Sequence, residues 1–145
     1  EAVWRTTEPG TPPPRQRLRA LRMLREAGIR AGVGLAPILP GLSDGADSMG
    51  AVVRAAREAG AAFLWTELLH LRPGTREHFL QHLARDWPQA LARYRTLYSG
   101  RAYLSDDLRK ANRDQLATIK RTIPARVRLP VIEPEPEPEQ LDLAI

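Results

Sequence analysis

Cysteine is absent from the 145 residues. That excludes disulfides, zinc–thiolate sites, cysteine nucleophiles and iron–sulfur ligation within this stretch. Lysine is almost absent too, since only Lys110 and Lys120 accompany an otherwise all-Arg set of 22 basic residues. No apolar run approaches the roughly 18–20 residues that span a bilayer. The opening residues Glu1 to Gly10 hold neither a basic start nor an apolar signal core. We therefore expect no membrane partner and a cytoplasmic location. There is no initiator Met, which predicts a fragment or a processed piece of a longer protein.

What is present is a normal globular composition, with 43% hydrophobic and 27% charged residues. The length suits one domain or a piece of a larger one. Net charge is +5, with a pI near 10.4. Residues 133–145 carry five acids and no base, which leaves +10 on residues 1–132. A basic body thus carries an acidic tail. The excess of Arg reads first as a solvated surface; it also suits a body that meets nucleic-acid phosphates.

Along the chain, residues 1–11 are short and turn-rich. Thr11 followed by three prolines suits a helix start, because a first turn does not need the donors that proline lacks. Leu18, Leu21 and Leu24 give helical spacing from Arg15 to Ala27, and Gly28 stops it. An apolar stretch from Ile29 to Leu39 reads as a buried strand. A second helix is expected from Asp47 to Ala59 and a second strand from Ala61 to Leu69. Arg25-Glu26-Ala27-Gly28 recurs as Arg57-Glu58-Ala59-Gly60, a period of 32 residues. That is the size of one helix–strand unit, as repeated in parallel α/β folds. Two strands cannot close a barrel, which again points to a larger parent. After Leu71 the pattern becomes helical: Thr75 to Asp86, then a face of Leu91, Tyr94, Leu97 and Tyr98, then Leu108 to Ile123 behind a Ser105 cap. Residues 124–145 are Pro-rich, and the Glu-Pro alternation predicts an extended, disordered linker.

The text Trp4-Arg5-Thr6-Thr7-Glu8-Pro9-Gly10-Thr11, then Arg17-Leu18 with Leu24 to Ile29, then Val33 to Asp44, resembles the C-terminal part of the radical S-adenosylmethionine superfamily. The branch resembled is the spore photoproduct lyase-like, DNA repair photolyase type, over about residues 1–100. The resemblance implies a partial (β/α)6 TIM-type barrel with an all-helical C-terminal extension and a disordered tail. The implied layout is a partial barrel over 1–72, a helical extension over 73–123 and a linker with a C-terminal peptide over 124–145. It implies an S-adenosylmethionine adenine bordered by Ala36, Pro37, Ile38 and Gly41, and a substrate side formed by Glu67, His70 and Arg72. A 4Fe-4S cluster belongs to the full-length parent; the CxxxCxxC loop that holds it is missing here, so this chain alone cannot bind the cluster and is expected to be inactive. No catalytic residue is assigned within it, nor any role to Thr6, Thr7 or Glu8. The implied function is generation of a 5′-deoxyadenosyl radical that abstracts hydrogen from a nucleic-acid substrate in DNA repair.

Strand ends agree with that placement, because chemistry in parallel barrels gathers at the carboxyl ends of strands. A small residue, a rigid Pro and a Gly permit a flat ring to approach the backbone. The same Pro-Gly also suits an ordinary turn. His78, His82 and Asp86 recur at helical-turn spacing, which suits a metal face but equally the polar side of an amphipathic helix, and we assign no metal. Tyr94, Tyr98 and Tyr103 read as packing.

Gln140-Leu141-Asp142-Leu143-Ala144-Ile145 resembles the peptide that binds the bacterial DNA sliding clamp. Gln140 would hydrogen-bond at the pocket rim while Leu141, Leu143 and Ile145 fill apolar pockets. The Glu-Pro leader would let the motif reach while the body stays on DNA. An alternative from another class is a non-catalytic adaptor that binds DNA and recruits the clamp. A third is an unrelated α/β barrel enzyme, which lacks here both a Gly-rich phosphate loop and a strand-end Lys.

Overall fold

The computed structural model describes residues 2–123. The Glu-Pro tract and the proposed clamp residues Gln140, Leu141, Leu143 and Ile145 lie outside the described residues. In chain order the elements are α1 (Ala2–Thr7), α2 (Pro14–Glu26), β1 (Val33–Ile38), α3 (Ala46–Glu58), β2 (Leu64–Leu68), α4 (Thr75–Asp86), a 3-10 turn (Pro88–Ala90), α5 (Leu91–Leu97) and α6 (Asp106–Thr122).

The two copies of the Arg-Glu-Ala-Gly motif end their helices by one mechanism. Gly28 and Gly60 take positive φ, and their amides bond back to the Arg25 and Arg57 carbonyls. The next residues, Ile29 and Ala61, reach the Leu24 and Ala56 carbonyls at 2.9 Å, completing a Schellman closure in both places. Ser105 caps α6 by accepting from the Leu108 amide. Asp106 and Asp107 sit in its first turn and Lys120 and Arg121 in its last, matching the helix dipole. Gly74 opens α4 with a positive φ and donates its amide to the Glu77 carboxylate. Gly74 is thus the cap of that helix and Thr75 its first residue. The turn-rich start contains one helix the sequence pattern does not announce, α1.

β1 and β2 are parallel neighbours, joined through α3. The register pairs Val33 with Leu64 and Leu35 with Thr66, then slips so that Ile38 meets Leu68. Ala36 and Pro37 together therefore stand opposite the single residue Glu67, as in a β-bulge. Alternation turns Leu35, Ile38, Leu64, Thr66 and Leu68 inward. The outward set is Gly34, Ala36, Trp65 and Glu67. Met49, Val53 and Ala56 of α3 and Leu116 and Ile119 of α6 join the inward set in one cluster, together with Leu83 of α4, Tyr94 of α5 and Tyr98 just after it. Buried Asn112 of α6 accepts from the Thr66 hydroxyl at 2.8 Å. The buried Arg25 side chain ties the two repeats together, donating from Nε to the Gly60 carbonyl at 2.8 Å and from Nη1 to the Ile29 carbonyl at 2.9 Å.

The partial (β/α)6 barrel with an all-helical extension is not what the chain forms. The sheet has two strands and the rest is mostly helix, so the described chain is a small α/β domain. The repeat marks two helix–strand units correctly, but among the described residues after Leu71 no further strand forms. The inner sheet face is covered instead by α3 and by α6, the last helix of the segment expected as a C-terminal extension.

Candidate functional site

β1 leaves the sheet through Ile38, Leu39 and Pro40, all buried, and turns at Gly41. That turn is held by the Leu39 amide donating to Ser43 Oγ at 2.8 Å and by the Gly41 amide donating to Asp44 Oδ1 at 2.8 Å. Gly41 has φ +80°, and it is this backbone conformation that calls for glycine, since a Cβ there would meet only the movable end of the Arg93 side chain. The Ala36–Pro37 peptide is cis.

At this carboxyl end lies an open hollow of about 180 Å³. Ala36, Pro37 and Ile38 line its strand side, and Ser48, Met49 and Val52 its α3 side. Ser43 adds a hydroxyl at the loop. The hollow is apolar with two hydroxyls at its rim. It is smaller than the roughly 300–1,000 Å³ of complete ligand sites, so it offers one wall of a site. Gly41 shapes the turn beside it but does not line it.

The expected substrate-side residues divide. Glu67 stands opposite Ala36–Pro37 on the outward sheet face, beside half-exposed Trp65. β2 ends at Leu68, so His70 and Arg72 lie beyond the strand. They meet a residue that sequence reasoning missed as a site partner: Tyr103. The His70 and Tyr103 rings stack at 5.2 Å between centroids, and Arg72 Nη2 donates to the Tyr103 hydroxyl at 3.2 Å. That bond holds the Arg72 pKa above its ordinary value. Tyr103 is brought there by the loop before α6, where the Leu71 amide bonds the Ala102 carbonyl at 2.7 Å. Nothing in the local pattern around Tyr103 signals a partner 31 residues away.

Tyr94 and Tyr98 are fully buried. Tyr98 donates to the Leu69 carbonyl, whereas the Tyr94 hydroxyl has no partner. His78 and His82 lie edge to face at 4.4 Å between ring centroids. Among the described residues no three His, Asp or Glu side chains gather as a metal site. No helix among them is long and apolar enough to cross a membrane.

No protein-family model matches the chain, and no solved structure matches it. It is 36% identical over 115 residues to the uncharacterized protein Rv2578c of Mycobacterium tuberculosis and, to the same degree, to the uncharacterized protein Mb2609c of Mycobacterium bovis. The match covers 79% of this chain and 34% of each relative. The chain thus spans about a third of the length of the curated relatives it matches.

Proposed function

We propose that this chain works as part of a radical S-adenosylmethionine enzyme of the spore photoproduct lyase-like type, acting on DNA in the cytoplasm. In this reading the hollow at Ala36, Pro37 and Ile38 takes the adenine of S-adenosylmethionine. The supporting observation is the hollow itself: an apolar wall at the carboxyl end of parallel strands, with Ser43 and Ser48 hydroxyls at its edge. S-adenosylmethionine in such enzymes supplies the 5′-deoxyadenosyl radical that abstracts hydrogen. The residues here fit its adenine ring. They do not fit a 4Fe-4S cluster, since the chain has no cysteine. What the chain's own residues do is orient and exclude water. Met49 and Val52 keep the ring face dry, and Gly41 lets the turn stay tight beside it.

The test is a titration of S-adenosylmethionine and of S-adenosylhomocysteine followed by amide chemical shifts. Shifts concentrated at Ala36, Ser43 and Ser48 are expected, and Ala36→Trp should weaken binding at least about tenfold by filling the hollow. No shift at these residues, or an Ala36→Trp variant with unaltered affinity, refutes the assignment.

The basic body favours contact with DNA phosphates, and α2 presents Arg15, Arg17, Arg19 and Arg22 to solvent. We further propose that the QLDLAI peptide tethers the protein to the bacterial sliding clamp. Deleting residues 140–145 should abolish clamp binding and leave thermal stability unchanged; clamp affinity that survives the deletion removes the tether. A non-catalytic DNA- and clamp-binding adaptor shares both expectations but predicts no adenosine-dependent shifts at Ala36.

A further inference from the structure

A second cleft of the described chain lies away from the strand ends, between the α1–Pro9 segment and α4. It measures about 370 Å³, within the range of complete small-molecule sites. Its walls combine three kinds of group. Phe79, Leu83 and Trp87 supply an apolar, largely aromatic floor. The His78 and His82 rings stand along the α4 side. Thr6 and Thr7 bring hydroxyls from the end of α1.

Asp86 supplies the one carboxylate. Arg85 grips it with a two-pronged pair, Nε to Oδ1 at 2.7 Å and Nη2 to Oδ2 at 2.8 Å. The Asp86 side chain is 17% exposed, while the Arg85 side chain is 65% exposed. The carboxylate is therefore fixed in position at the cleft wall. Each of its oxygens keeps a further lone pair for a donor from a ligand. The apolar floor, built largely of aromatic rings, selects a planar ring. The fixed carboxylate selects a ring edge that donates N–H.

We propose that this cleft binds a nucleobase carrying an exocyclic amino group, stacked along Trp87 and His82 with that amino group donating to Asp86. The same chemistry is offered by a free nucleoside and by an unpaired base of a nucleic acid; the second source rests on the nucleic-acid reading above, and the first does not. The site is separate from the hollow at Ala36.

The experiment uses the full chain and measures binding of adenosine, cytidine and uridine by equilibrium dialysis, alongside single-stranded oligo-deoxyadenylate and oligo-thymidylate of equal length. Adenosine and cytidine should bind about tenfold or more tightly than uridine, whose single ring N–H is flanked by two carbonyl oxygens that the carboxylate repels. Asp86→Ala should bring all three to the uridine level. His82→Ala should weaken every base by about fivefold or more through lost stacking. Unchanged circular dichroism would show that both variants fold. Oligo-deoxyadenylate binding more tightly than adenosine, with the same Asp86 dependence, identifies a nucleic-acid base as the ligand; no gain over adenosine identifies the free nucleoside. Equal affinity for uridine overturns the proposal, as does an amino preference that survives Asp86→Ala or the absence of nucleoside and oligonucleotide binding. Adenosine binding lost in Ala36→Trp but kept in His82→Ala moves the nucleoside to the strand-end hollow, which supports the S-adenosylmethionine reading and refutes this one.

Discussion

Replacing Arg25 by Ala is expected to cost the fold about 3 kcal/mol, as two hydrogen bonds from a charged group are lost at once. The guanidinium is 4% exposed and serves the carbonyls of Ile29 and Gly60 from one planar fork. Those carbonyls follow the two Schellman turns, so one side chain sets the distance between the exits of α2 and α3. Removing it leaves two partly buried acceptors without donors, and the aliphatic stem leaves a void. Arg25→Lys should rescue little, because a single ammonium on a flexible stem does not match two carbonyls held in fixed directions. Thermal unfolding should fall by roughly 10 °C in Arg25→Ala. A change under about 2 °C would mean the two repeats are held apart by other contacts.

Tyr94 offers the second large effect and an unusual contrast of sign. Its ring is completely buried against Phe79 and Tyr98, at 5.6 and 6.0 Å between centroids. Tyr94→Ala should cost about 3–5 kcal/mol, the usual loss for deleting a buried aromatic ring. Tyr94→Phe should cost nothing or stabilise, since the hydroxyl it removes is buried and has no partner. Tyr98→Phe should instead cost about 1 kcal/mol, because it strips the donor from the Leu69 carbonyl. Urea unfolding of the three variants measures all of this. Burial, the leading cause for both phenols, pushes their pKa values well above the ordinary 10.0. The neutral form is thus favoured in the folded state. The stability this carries is complete below pH 10 and is lost as pH rises above it. Alkaline unfolding beginning above pH 10 is expected, with tyrosinate absorbance from this pair appearing together with loss of helical signal. Absorbance that rises fully before the helices melt would show that the rings are wet.

Much of the local structure was legible because each signal was local. Gly28, Gly60 and Ser105 mark helix ends through their own backbone chemistry, and Leu18, Leu21, Val53 and Leu116 fall where helical spacing expects them. α1 was not legible, since Thr6 and Thr7 at its end favour turns as readily as helix. The barrel expectation failed for a different reason. A repeated helix–strand unit reports how each unit folds but not how many units follow, and among the described residues no third strand follows β2. α6 carries Asn112, Leu116 and Ile119 on one side, and only the assembled structure reveals that this side lies over β2. At the strand ends, Ala36, Pro37 and Ile38 were singled out through the family resemblance, and the structure sets them along one side of a hollow. Tyr103 was not, because its contacts with His70 and Arg72 depend on loop closure. The cleft beneath His82 escaped for the same reason, since Thr6 and Trp87 are brought together only by folding.

The placement of α6 has a consequence for synthesis on the ribosome. β1, α3 and β2 can emerge and pair early, but the inner face of that pair is not covered until residues 106–122 have left the exit tunnel. Until then Thr66 lacks Asn112, and Leu64 and Leu68 lack the cover that α6 provides. The nascent chain therefore passes through an interval in which its sheet is formed and greasy on one side. Slow codons placed between β2 and α6 would lengthen that interval, and a stalled chain ending near Leu104 is the form on which a holding chaperone would settle.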